Sequence, residues 1–196
     1  MKYFRLIGLI MAMLMLTLCV VGCAPKLEEE AATVAKDYYS HIIMRQDNVS
    51  AKSICAYDKI AITEAVYTNW AEKDGKTLEE YIASLAERRN MPADTNTTEK
   101  FLKVQSENYV EKNKKTMGED YFNSIPEVIS FTKANSSKID KVYNELMNRY
   151  GKDKIDFTQY FDIDDIAEAR LVEVGVNDQV TEVLVVKVDG QWKYLA

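Results

Sequence analysis

Asp189-Gly190 stands between two runs of strand-forming residues, Val180–Val188 and Gln191–Leu195. A two-residue Asp-Gly turn needs positive φ at both positions, and its twist matches that of two antiparallel strands, so this dipeptide predicts a β-hairpin at the end of the chain. A third valine-rich run, Ala169–Val176, joins the second through Asn177-Asp178. The chain therefore predicts a C-terminal antiparallel meander of at least three strands.

Upstream of Gly151 the apolar period is that of helices. Ala31, Val34, Ala35, Tyr38, Ile42 and Ile43 share one face of a first helix, Ala31–Arg45, whose entry carries Glu28-Glu29-Glu30, charge that favours a helix N-terminus. A second helix starts at Ile54 or Asp58, runs to Trp70 and ends near Asp74-Gly75. Thr77-Leu78-Glu79-Glu80 fits a capping box, and Leu78, Tyr81, Ile82 and Leu85 follow at helical spacing. Phe101–Lys115 admits a helix or a poor strand. Glu99, Lys100, Lys103 and Glu107 favour the helix. Tyr121–Phe131 contains Pro126 and is expected to bend. Ser137–Asp140 opens a further helix through Val142, Tyr143, Leu146, Met147 and Tyr150, with Gly151 as its stop, and Ile155–Phe161 is expected as a short strand. Residues 93–150 thus read as helix and loop. Helices first and strands last define an α+β fold with N-terminal helices packed on the β-meander.

The N-terminus carries an address. Lys2 and Arg5 precede the uncharged run Leu6–Gly22, and Val20-Val21-Gly22-Cys23 closes it with small residues and a cysteine. Basic head, apolar run and small-residue cleavage site are the parts of a secretory signal peptide. The cysteine makes the segment resemble a bacterial lipoprotein signal. The resemblance implies cleavage after Gly22 and a diacylglyceryl thioether on Cys23. An uncleaved spanning helix is one alternative, but 17 residues cover roughly 26 Å, short of the ~30 Å hydrocarbon core. A plainly secreted protein is the other, and it would not need a cysteine at the cleavage point. The expected organisation is residues 1–22 as signal peptide, 23–27 as a lipidated tether and 28–196 as one α+β domain. The expected location is the extracytoplasmic face of the cell membrane. Two acyl chains on one residue would hold it there stably.

The formal net charge of −6 becomes −8 once Lys2 and Arg5 leave with the signal peptide. That balance argues against a nucleic-acid partner, which needs a basic footprint. Cys19 leaves too and Cys23 is consumed, so Cys55 has no intramolecular partner and is expected as a buried small apolar residue.

Val185-Val186-Lys187-Val188-Asp189-Gly190-Gln191-Trp192-Lys193-Tyr194 resembles the closing hairpin of NTF2-like (cystatin-like) domains of small exported lipoproteins. The amphipathic helix Ala31–Arg45 suits the long first helix of that fold, and the helical middle of the chain would make it an elaborated member. The resemblance implies a curved sheet wrapping a helix around a cone-shaped pocket. Tyr38, Tyr57, Trp192 and Tyr194 would line such a pocket as ligand-binding residues. The competing reading makes them ordinary core.

Catalytic signatures are sparse. His41 is the single histidine and has no Cys partner for a zinc site. Asp162, Asp164, Asp165 and Glu168, preceded by Asp153 and Asp156, form the densest acidic cluster. Their spacing departs from an EF-hand, so solvated turn residues are expected, one of them capping a helical turn. No Gly-rich phosphate loop, G-x-S-x-G or C-x-x-C occurs. The sequence therefore predicts no catalytic residue, metal or cofactor. It predicts a lipid-anchored, non-enzymatic binding module for an unnamed protein or small ligand. The rival is a small enzyme with a buried carboxylate as general base.

Overall fold

A computed structural model describes residues 24–196. The expected signal peptide and Cys23 lie outside the described residues. The architecture is α+β, with helices first and a four-stranded antiparallel sheet toward the C-terminus.

The first helix, α1, spans Ala24–Tyr38 and passes into a π-helical turn, Tyr39–Ile43. The stretch expected as tether is therefore helical from Ala24. Pro25 is tolerated there because first-turn N–H groups have no intrahelical acceptor. Ala31 and Ala35, one turn apart, are fully buried, as is Tyr39 at 1% exposure. Small residues at i and i+4 let the helix backbone approach the sheet, and α1 touches all four strands.

Helix α2, Lys59–Lys73, begins at Asp58, whose carboxylate accepts from Ile60 N (3.1 Å) and Ala61 N (2.9 Å). Helix α3, Leu78–Arg88, carries the reciprocal Thr77–Glu80 capping box that its sequence predicts. Helix α4, Thr98–Met117, resolves the ambiguous stretch in favour of helix. Ile82, Ala86 and Phe101 from α3 and α4 form a satellite core, with Tyr67 of α2 packed against it. Asp153 ties this layer to the main core. Its carbonyl accepts from Asn69 Nδ2 (2.9 Å) and its carboxylate from Trp70 Nε1 (3.2 Å).

A short helix, α5 (Glu119–Asn123), precedes β1, Glu127–Lys133. This strand corrects the expectation of helix and loop throughout 93–150. Pro126 ends the helical stretch, and Val128, Ile129, Phe131 and Thr132 are β-formers. Helix α6, Ser136–Gly151, is capped by Asn135 Oδ1 on Lys138 N (2.8 Å). The segment Ile155–Phe161, expected as a strand, is instead irregular with one 3-10 turn, Phe157–Gln159. Its apolar side chains are wanted by the core, while its backbone bonds locally: Tyr160 N and Phe161 N both donate to Phe157 O.

The sheet closes with β2 (Glu168–Val176), β3 (Gln179–Val188) and β4 (Gln191–Tyr194), in spatial order β1-β2-β3-β4. Asp189 and Gly190 have φ of 51° and 77°, the double positive φ that the Asp-Gly signal requires. Val172, Val174, Val183, Val185 and Tyr194 share one face by register and are buried beneath α1. Leu184, Val186 and Leu195 lie on the opposite face and are buried too. Lys138 of α6 pairs with Glu182 on that second face at 2.6 Å. The two edges of the sheet differ. Cys55 bridges to Tyr194 along the outer edge of β4, and Ala56 N donates to Tyr194 O (2.9 Å). β1 has β2 as its one strand neighbour.

Candidate functional site

Of the four aromatics expected to line a pocket, Tyr38 and Tyr194 meet, and Tyr57 joins the aromatic side chains of α6 and the loop after it. The rings of Tyr38 and Tyr194 are 4.6 Å apart, and Tyr57 packs edge-on against Phe157 at 5.0 Å and Tyr150 at 6.3 Å. Tyr57 and Tyr194 are 6% and 2% exposed. Burial pushes their phenols far above the ordinary range, and the Cys55 thiol beside them adds to the shift. The Tyr194 hydroxyl is buried, with the Cys55 thiol as its polar neighbour. Tyr38 and Tyr194 pack on each other and Tyr57 on α6 and its following loop, all within the main core, an arrangement that fills space.

Trp192 stands apart from that cluster. Register places it in one row with Lys187 and Glu168. The Arg170 guanidinium lies 5.7 Å and the Lys187 ammonium 5.8 Å from its ring centroid. Glu168 pairs with both cations, at 3.2 and 3.9 Å. The indole is thus clamped within the sheet's own side chains.

The remaining polar candidates are dispersed. His41 sits in the π-helical turn with Nδ1 buried and unpartnered. Cys55 is a buried thiol whose pKa burial raises, so it is the inert form of cysteine. Lys59 opens α2 and burial lowers its pKa. Among the described residues no three His, Cys, Asp or Glu side chains group closely enough to hold a metal ion.

The acidic cluster forms two capped turns. Asp156 accepts from Thr158 N (3.1 Å), and Asp162 accepts from Asp164 N (2.9 Å) at the head of a 3-10 turn, Ile163–Asp165. Asp164 and Asp165 are exposed. Neutralising both, as Asp164→Asn with Asp165→Asn, relieves repulsion and is expected to leave the melting temperature unchanged or slightly raised. Calcium is expected to leave the wild type unmoved. A bound ion at about a hundredfold excess over Kd would add about 2.7 kcal/mol. A calcium-dependent rise in melting temperature, lost in the double variant, would reverse this assignment.

The described surface has one conspicuous feature that the sequence did not announce. Ile125, Ile129 and Val180 are 82%, 56% and 51% exposed. They lie at the end of the sheet where β1 begins and β2 turns into β3. Glu127, Gly175 and Val180 are successive neighbours across β1, β2 and β3. Ile129 occupies the bulge where the β1–β2 register shifts. Two adjoining grooves meet at Ser124, Val176 and Asn177. One runs past Ile125, Ile129 and Gly175, the other past Met117, Asp120, Tyr121 and Asp178. The legible signal was Ile125-Pro126: an apolar residue forced into extended backbone before a strand.

No protein-family model matches the chain, and no curated protein or solved structure matches it.

Proposed function

We propose that this protein is a lipid-anchored extracytoplasmic lipoprotein that works as a binding module, and that its domain is an elaborated NTF2-like fold. The observation that carries the anchor is the order Lys2/Arg5, an uncharged run to Gly22, then Cys23. The thiol supplies a single point of attachment. Among the described residues no helix is long and apolar enough to cross a membrane. The NTF2-like reading rests on the long α1 lying across a meander that ends in the Val185–Tyr194 hairpin.

What supports binding over catalysis is the placement of apolar surface. The aromatic side chains that would line a catalytic cone pack against one another, whereas three large aliphatics are spent on solvent exposure at one end of the sheet. Contiguous exposed apolar residues mark interaction sites. The carboxylates whose pKa is clearly displaced, Glu80, Asp94 and Asp156, are exposed and lowered by hydrogen bonds, the reverse of a poised general base.

Replacing Cys23 with Ala is expected to abolish lipid labelling and to move the protein from the membrane fraction to the soluble extracytoplasmic fraction or medium. A variant that still sediments with membranes and keeps an uncleaved N-terminus would establish a spanning segment instead.

A further inference from the structure

We infer that the paired grooves at the open end of the sheet are a docking site for an extended, cationic segment of a partner protein, whose apolar side chains rest on Ile125 and Ile129. This deepens the binding-module reading and rests on it, but it is independent of the lipid anchor.

The surface is built for an extended occupant. β1 is an edge strand with β2 as its one strand neighbour among the described residues, whereas the edge of β4 is covered by Cys55-Ala56. An added strand gains main-chain hydrogen bonds from such an edge, and alternate side chains give it specificity. Gly175 keeps the neighbouring floor flat. A Cβ there would strike the Gln179 carbonyl, so no side chain rises between Glu127 and Val180. The Ile129 bulge and the charge of Glu127 blunt the edge against indiscriminate pairing, as natural edges require.

Charge selects the class of occupant. Asp120, Glu127 and Asp178 line the grooves, all exposed and none in an ion pair among the described residues. No Lys or Arg lines either groove. Lys114, on the preceding turn of α4, is engaged by Glu119 at 3.6 Å. An anionic lipid surface would be repelled by this rim, and a second copy of this acidic chain would meet like charge. A Lys- or Arg-bearing segment with small aliphatics between its charges satisfies both the rim and the floor.

The test uses the full-length protein in neutral detergent and two fluorescent peptides of about eight residues, one alternating Lys and Val, the other Glu and Val. The Lys–Val peptide is expected to bind and the Glu–Val peptide to fail. Binding should weaken about fivefold or more in Ile125→Ser with Ile129→Ser, and again in Glu127→Gln with Asp178→Asn. Raising salt from about 50 to about 300 mM should weaken it further, through the rim charges. Asp164→Asn with Asp165→Asn removes the same charge elsewhere and should leave binding unchanged. Because the substituted residues are exposed, melting curves should match the wild type. Absence of Lys–Val binding, or equal loss in the groove and control variants, overturns the proposal. So does a dimer in light scattering that Ile125→Ser with Ile129→Ser dissolves, since the occupant is then a second copy. Any of these results leaves the Cys23→Ala fractionation to judge the membrane assignment separately.

Discussion

Alkaline titration is expected to unfold this domain abruptly above pH 10, with the buried phenols of Tyr57 and Tyr194 foremost among the tyrosines that burial raises. An unfolded tyrosine ionises near 10.0. Folded Tyr57 and Tyr194 resist ionisation because a phenolate in their packed surroundings would lose its solvation. Above pH 10 the folded state therefore holds more protons than the unfolded state, and stability falls as pH rises. Each such group contributes about 1.4 kcal/mol per pH unit, so the pair removes about 4 kcal/mol by about pH 11.5. That is a large share of the about 5–15 kcal/mol a domain has. Lys59 acts in the opposite sense. Burial lowers its pKa from 10.5, so the unfolded state binds more protons below that value and stability rises as pH climbs through its window. Tyr194→Phe and Tyr57→Phe keep the rings and remove the ionisation, and each should raise the alkaline midpoint followed by far-ultraviolet circular dichroism. An alkaline midpoint unmoved in the double variant would mean that other groups drive the transition.

The same tyrosines mark the boundary of what the amino-acid pattern discloses. Features set within a few residues were readable. Asp58, Thr77 with Glu80, and the Asp189-Gly190 turn act through atoms two to four positions away, and each stands where its local chemistry puts it. β1 escaped because it is seven residues long and its half-exposed edge mixes Ser130, Thr132 and Lys133 among its apolar residues. Its pairing partner is about forty residues downstream, beyond α6. Ile155–Phe161 failed in the other direction, since buried aromatics in a row satisfy the core equally well from an irregular backbone. Whether Tyr38, Tyr57 and Tyr194 line a pocket or close one depends on Tyr150 and Phe157, which arrive from the far end of α6 and the loop beyond it. Trp192 is decided by cations on β2 and β3. The exposed Ile125 and Ile129 carry no periodic signal, because a bulge and a proline set their direction.

Gly175→Val is expected to cost more than any other single glycine substitution in the sheet, and the reason separates two kinds of glycine. Gly190 has φ of 77° and open space where a Cβ would stand. Its requirement is conformational, so Gly190→Val should cost about 1–3 kcal/mol, while Gly190→Asn should recover most of that loss, since Asn tolerates the left-handed region. Gly175 has ordinary strand φ, and its requirement is space. Its Cβ would collide with the Gln179 carbonyl and press on the Val180 backbone at 3.1 Å. Both are main-chain atoms of the strand that β2 pairs with, so relief means opening the Asn177-Asp178 turn. Overpacking costs about 1–3 kcal/mol where side chains can give, and against backbone the loss should exceed that range. For a chain of this size about 3 kcal/mol lowers Tm by roughly 6–12 °C. Gly175→Asn should then be no better than Gly175→Ala, in contrast to position 190. Thermal melts of the five variants decide it. A Gly175→Ala protein that melts within about 2 °C of the parent would show that the turn relaxes freely, and the flat floor between Glu127 and Val180 would lose its cause.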